Sequence, residues 1–327
     1  MRVLTVTNMW PSAQRPHWGV FVQSQVASLQ AAGIEMTVYE IEGWRGTGRY
    51  VRALRELPAR ARAARAELVH AHYGLSGAAA LGIKLPLVVS LLGDDLLGRP
   101  DANGRLSFKS RALIPLSRLA ASRAAGVIVK SEQMRSTLPG VAHVDVIPNG
   151  VDLDKFAPQP MAAAREALGW PTTGSMLLFA GDPDEPRKNF ALAREVETRL
   201  RLRGLDVQLQ SVHGRPQSAM VHAMNASNVL LLPSFHEGSP NVVKEAMACS
   251  LPVVAAPVGD CAERLRECRP SAVVERTAEA FTDAVASVLA AGTRSNGREC
   301  VAALALPAVA TRVIAVYERA LARQGAR

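Results

Sequence analysis

Residues 229–260 read VLLLPSFHEGSPNVVKEAMACSLPVVAAPVGD, and their pattern decides the fold class. The run 229–233 is short and aliphatic, with no polar alternation. That is the mark of a strand covered on both faces of a parallel sheet. Residues 234–238 are loop types. Ser239 is placed to cap a helix whose first position is Pro240, where a missing N–H is harmless and φ is already set. The helix is expected over 241–249, and 251–257 returns as a second buried strand. Strand, tight loop, helix, strand is the building unit of a parallel α/β sheet.

A helix start offers unbonded N–H groups and the positive end of its dipole, which suits an anion, most naturally a phosphate. Glu237 lies at the strand's end, where ligands of open α/β sheets bind. Glu245 follows eight positions later. Asn241 and Glu245 are four apart and share a helix face. A phosphate with a sugar on each side would meet one carboxylate at each end. The bland alternative is two solvated glutamates, and the strand–GSPN–helix–LPVV setting argues against it.

EGSPNVVKEAMACSLPVVAAPVG resembles the donor-binding signature of the family 4 retaining glycosyltransferases. The resemblance implies the GT-B fold: α/β, with two Rossmann-like domains facing a cleft. It implies transfer of a sugar from a UDP- or GDP-sugar to a hydroxyl acceptor with retained configuration, using neither metal nor cofactor. Attack would come from the same face, the leaving diphosphate taking the acceptor proton. Glu245 is then expected to bind the ribose and Glu237 to lie beside the donor sugar. Gly238, Ser239, Pro240, Asn241 and Val242 would line the donor, with backbone N–H groups holding sugar or phosphate. Ser250 departs from the glycine that usually ends this helix and weakens the cap. A nucleotide-sugar binding protein without turnover and a nucleotide-sugar epimerase are the rival readings.

A chain of 327 residues suits two domains. Hydrophobic content of 48% and charged content of 20% match an ordinary soluble α/β protein. No apolar run reaches spanning length, and MRVLTVTNMW reads as a first strand rather than a signal peptide. Cys249, Cys261, Cys268 and Cys300 lack metal or redox spacing, which fits a reducing cytoplasm. Through residue 157 there are 19 Lys+Arg against 12 Asp+Glu, a balance of +7; the remainder holds 19 against 17, or +2. The excess in the first half suits an acidic acceptor or an anionic membrane surface, and equally a set of solvated arginines. A cytoplasmic protein, peripheral at the inner face of the membrane, is the corresponding expectation. Aromatics are only 5% and no basic groove is interleaved with them, so nucleic acid is not an expected partner.

Taken in order, 2–7 is a strand, 8–19 a Pro- and Trp-rich loop, and 20–32 a helix. Gly19 matches the family's loop glycine near the donor diphosphate. Trp18 is a candidate for the acceptor side. Residues 43–67 carry seven arginines, with Pro58 expected to interrupt the helical spacing; a membrane-contact helix and a solvated face are both open. In the strand 68–73, His70 and His72 point to one face. His70 is expected in the core and His72 toward the acceptor. After the strand 87–92, Gly93 and Asp95 match the family's His-Gly-x-Asp, while Leu92 replaces the histidine; Asp94 and Asp95 are candidate acceptor-side residues. IPNGVDLDKFAP matches the family's domain exit. The expected division is 1–158, 159–305 and a closing helix in 306–327 that crosses back. In GDPDEPRKNF, Asp182 takes a position that is basic in the family. Lys188 is assigned to the donor diphosphate and Arg187 to a second contact, because cleavage builds negative charge on the leaving group. Asp260 stands where the family often has glycine.

Overall fold

In the computed structural model, which describes residues 1–98 and 106–325, the chain divides into two units. One is Met1–Gly150 together with the segment from Leu306, and the other is Val151–Ala305. In chain order the first unit comprises β1 (Arg2–Thr7), α1 (Val20–Ala31), β2 (Glu35–Glu40), a 3-10 turn (Gly43–Arg45), α2 (Gly48–Ala63), β3 (Leu68–His72) and α3 (Gly74–Ala80). It continues with β4 (Leu87–Ser90), α4 (Asp94–Leu97), α5 (Phe108–Arg123), β5 (Gly126–Val129), α6 (Glu132–Ser136) and β6 (Val144–Val146). The second unit comprises α7 (Met161–Leu168), β7 (Ser175–Phe179), a 3-10 turn (Pro186–Lys188), α8 (Phe190–Leu202), β8 (Val207–Ser211), α9 (Gln217–Ala226) and β9 (Val229–Leu232). It continues with α10 (Asn241–Ala248), β10 (Val253–Ala255), α11 (Cys261–Arg264), β11 (Ala272–Val273), α12 (Ala278–Ala291) and α13 (Gly297–Val301). The closing helix α14 (Leu306–Gly325) packs on α1, β4 and β5 of the first unit.

Both sheets are wholly parallel. The first has the order β2-β1-β3-β4-β5-β6 and the second β11-β10-β9-β7-β8. Each order reverses once, between β1 and β3 and between β7 and β9. Right-handed crossovers running in opposite directions from those points must cover opposite faces. So α1 and α14 lie together on one face of the first sheet, and α2, α3 and α5 pack together on the other. Leu177, Leu178, Val229, Leu230, Val253 and Val254 are all 0% exposed, which explains why these strands read as continuous apolar runs. Each such side chain contributes about 1.5–3 kcal/mol of burial.

Two local expectations are corrected. The strands end sooner than the apolar runs do: β9 stops at Leu232 and β10 spans only Val253–Ala255. Pro233, Pro252 and Pro257 bound these runs and have no N–H for the ladder. Pro58 does not interrupt α2, which runs through it. Proline removes one donor, for the Leu54 carbonyl, and Leu54 is 48% exposed. Water can satisfy that carbonyl, while buried Ala53, Leu57 and Ala61 anchor the helix on both sides of the proline.

Candidate active site

The adjacent strands β7 and β9 flank the point where the strand order reverses, and in open α/β sheets ligands bind at the carboxyl ends of the strands at such a point. Arg187 and Lys188 stand on the loop after β7 and Glu237 on the loop after β9. Lys188 Nζ donates to Glu237 Oε1 at 2.8 Å, and Arg187 Nη1 lies 2.9 Å from Oε2. Burial works to raise the Glu237 carboxyl. The charges of Lys188 and Arg187 outweigh it and hold the group below the usual carboxylate range. The two cations are not equivalent. Arg187 also pairs with Glu185 through Nε at 3.1 Å and donates to the His236 carbonyl at 2.9 Å, while its own carbonyl accepts from the Phe235 amide. It clamps the β9 loop. Lys188 has three ammonium hydrogens, and Glu237 takes one.

At the start of α10 the structure corrects the expected cap. Pro240 is the N-cap, and it makes no side-chain cap hydrogen bond. Ser239 instead donates its hydroxyl to Asp260 Oδ2 at 2.9 Å and accepts from Lys244 Nζ at 3.1 Å. Charged partners bind a hydroxyl more strongly than a backbone amide does. Lys244 is 1% exposed, and burial pulls its ammonium down to about 8 even though Asp260 and Glu245 favour the charge. Asp260, 5% exposed, is raised by burial against the pull of Lys244, Ser239 and Arg264. The departure from glycine at 260 therefore supplies the counter-charge for a buried lysine. Gly259 is the reason the two loops can touch. Its φ is +54°, and a Cβ there would stand 2.6 Å from the Gly238 carbonyl oxygen.

Glu245 lies one turn into α10, half-buried, and its carboxylate makes no hydrogen bond or ion pair among the described residues. Burial pushes it up to about 7, against the charges of Lys244 and Lys155. The helix ends with Ser250 at φ +55°, a left-handed cap made without glycine. Asp182, in the family's basic position, accepts from the Asp184 amide and lies 3.5 Å from His213 Nε2. Asn228 accepts from the Met176 amide at 2.8 Å and from Arg165 at 3.0 Å, which is structural work.

The remaining candidates belong to the first unit. Gly19 has φ +74°, and a Cβ there would stand 2.4 Å from the Met9 carbonyl, so the loop's own packing demands glycine. Trp18 donates Nε1–H to the Asn8 carbonyl, and Arg15 lies 4.2 Å over its ring. His72 is 2% exposed and its Nε2 has no hydrogen-bond partner; burial, then His70 and Lys130, hold it well below the usual imidazole range. His70 bonds Tyr317 Oη at 2.6 Å and Ser90 Oγ at 2.8 Å, a core role. Asp95 is fully buried and accepts from the amides of Gly74, Leu92 and Gly93, each at 2.9 Å; burial raises it to about 6. Its oxygens hold the turn before α4 and the start of α3, while Asp94 stays half-exposed. The structure thus gathers Arg187, Lys188 and Glu237, and beside them brings Lys244 of α10 together with Ser239 and Asp260 of the adjoining loops. Sequence reading missed Lys244. Its signal was a lone lysine in an otherwise apolar helix face. Among the described residues no group of three or more His, Cys, Asp or Glu is placed to hold a metal ion.

Two wholly parallel α/β units in one chain are the make-up of the GT-B fold. Sucrose-phosphate synthase from Thermosynechococcus elongatus superposes with a TM-score of 0.75 at 20% identity, covering 99% of this chain and 100% of that one. HepE from Anabaena, solved in complex with UDP, superposes at 0.68 with 14% identity, covering 97% and 100%. Residues 3–155 match the family described as Glycosyltransferase Family 4, and residues 163–291 match Glycosyl transferases group 1. The chain belongs to this family and is a glycosyltransferase. A D-inositol 3-phosphate glycosyltransferase 2 from Catenulispora acidiphila is 28% identical over 78% of this chain and 71% of its own length.

Proposed function

We propose that the chain transfers a sugar from a UDP- or GDP-sugar to a hydroxyl acceptor with retention of configuration and without a metal or other cofactor. The observation that carries this reading is the convergence of Lys188 and Arg187 on Glu237 at the reversal point of the second sheet. Breaking a sugar–diphosphate bond builds negative charge on the leaving oxygen, and fixed cations stabilise it where it forms. Lys188 has donors to spare for that oxygen, and the start of α10 faces the same phosphates. Glu237, held ionised by two cations, is a weak base; it suits the developing positive charge of the donor sugar. The acceptor proton then goes to the leaving phosphate oxygen. Glu245, with no partner of its own among the described residues, suits ribose hydroxyls.

The relative from Catenulispora is named for an anionic acceptor. The +7 balance of the first half is suited to an acceptor of that charge. No helix among the described residues is long and apolar enough to cross a membrane. Our reading of the location is the cytoplasm, with peripheral attachment to the inner membrane face. A thermal-shift panel of UDP- and GDP-sugars, followed by turnover of the stabilising donor with and without EDTA, tests the proposal. Turnover should survive chelation. Stabilisation by none of the donors overturns the donor reading, and complete loss in EDTA with rescue by Mg or Mn overturns the metal-free one. Binding without sugar release points to a binding protein, and donor epimerised without acceptor points to an epimerase.

A further inference from the structure

Helix α2 has three faces. Ala53, Leu57 and Ala61 are buried. Arg52, Glu56 and Arg60 turn toward β2: Glu56 accepts from Tyr39 Oη at 2.7 Å and pairs with Arg52, and Arg60 lies 5.9 Å from the Tyr39 ring centre. The third face carries Val51, Leu54, Arg55, Pro58 and Arg62, spaced by three and four and so aligned in one stripe. Val51 is 53% and Leu54 48% exposed, and Trp44, in the turn before the helix, is 46% exposed. At its far end the stripe meets a cavity of about 480 Å³. Its floor includes Ala61, Ile83 and Leu85, its rim is Arg62, Arg65 and Lys84, and no acidic residue lines it. The side chains of Arg55, Arg62, Arg65 and Lys84 make no ion pair or hydrogen bond among the described residues.

Arg15 and Arg45 lie over the Trp44 ring, 5.3 and 4.7 Å from its centre, so the unpartnered part of the surface is Val51 and Leu54, half in water beside the unpaired cations Arg55 and Arg62. The combination is complementary to one environment in particular. Anionic headgroups attract each lysine or arginine near the surface. Apolar side chains of an interfacial helix enter the headgroup–acyl boundary. We infer that the outward stripe of α2 and the adjoining cavity dock the first unit on a bilayer of anionic phospholipid. Arg62, Arg65 and Lys84 hold a lipid phosphate, and its apolar part lies on the cavity floor. The inference rests on the peripheral attachment proposed above and names the surface that makes it.

The test is co-sedimentation of the full chain with vesicles of phosphatidylglycerol and phosphatidylcholine, and with phosphatidylcholine alone, at low and high salt. The paired variants Arg55→Glu/Arg62→Glu and Val51→Ser/Leu54→Ser are compared with wild type. Wild type should sediment with the anionic vesicles only, and release with salt. Charge reversal should weaken partitioning roughly 30-fold or more, and the serine pair roughly 10-fold. Thermal shift by a nucleotide sugar should be the same in all three proteins, which shows that the variants fold and that the donor site is separate. Absence of wild-type sedimentation at low salt overturns the membrane attachment itself. Wild-type binding that both variants retain leaves attachment standing and overturns the assignment to α2.

Discussion

Arg165 in the second unit and Arg62 in the first differ in everything but their chemistry. Arg165 is 3% exposed and donates to the carbonyls of Ala226, Pro171, Thr172 and Gly174 and to the Asn228 amide oxygen. Arg294 likewise holds the carbonyls of Ser227, Met224 and Cys249, and Arg298 those of Phe156, Ala248 and Leu153. Arg62 lines an open cavity, and its side chain has no partner among the described residues. Arg187 and Lys188 fall between these extremes: both pair with Glu237 at the ends of the strands, and Arg187 with Glu185 as well. The count of charges by halves, +7 against +2, therefore understates the contrast. Much of the second unit's positive charge is spent on its own carbonyls, while the α2 face of the first keeps its charge for something outside.

The comparison is broken most severely at Arg165. Arg165→Ala should strip several partly buried carbonyls of their donors and lower stability by about 3–5 kcal/mol in urea unfolding. A loss below about 1 kcal/mol would mean water replaces the guanidinium there. Next comes Lys188→Ala, expected to lower turnover on the order of 100–1,000-fold with a smaller loss in donor binding, since the leaving-group charge grows as the bond breaks. Arg187→Ala should cost less turnover and more stability, because its hydrogen bonds hold the β9 loop. The reverse ranking in steady-state kinetics would exchange their roles.

Smaller again is Glu245→Gln, expected to weaken nucleotide-sugar binding by about 1–3 kcal/mol. A carboxylate accepts hydroxyl hydrogens in its ionised form. Burial raises Glu245 to about 7, so the proton must leave before the ligand is accepted and affinity should rise as pH goes from 6 to 8. Titration calorimetry should show that slope in wild type and a flat profile in Glu245→Gln; equal slopes would remove Glu245 from the ribose. The smallest effect belongs to the first unit. Arg55→Ala or Arg62→Ala should change stability by less than about 0.5 kcal/mol. A larger loss would show that the α2 face is tied into the fold after all.

The sequence by itself determined the parallel α/β class and the alternation of strands and helices. Apolar runs such as VLLL and turn residues such as the Asn149-Gly150 pair act within a few residues of chain, so their physics is local. It also singled out Glu237, Glu245, Arg187 and Lys188, because a motif after a buried strand fixes where its side chains stand along the chain. Tertiary structure decided what each side chain touches. Ser239 has the residue type of a cap, and only the approach of Asp260, 21 residues away, and buried Lys244 shows why it does not cap. Asp95 stands beside Asp94 in the sequence, and only folding turns it inward onto three amides. Arg165, Arg294 and Arg62 are the same letter. Whether a guanidinium is a strut or a free charge depends on carbonyls brought to it from distant segments, which no local pattern records.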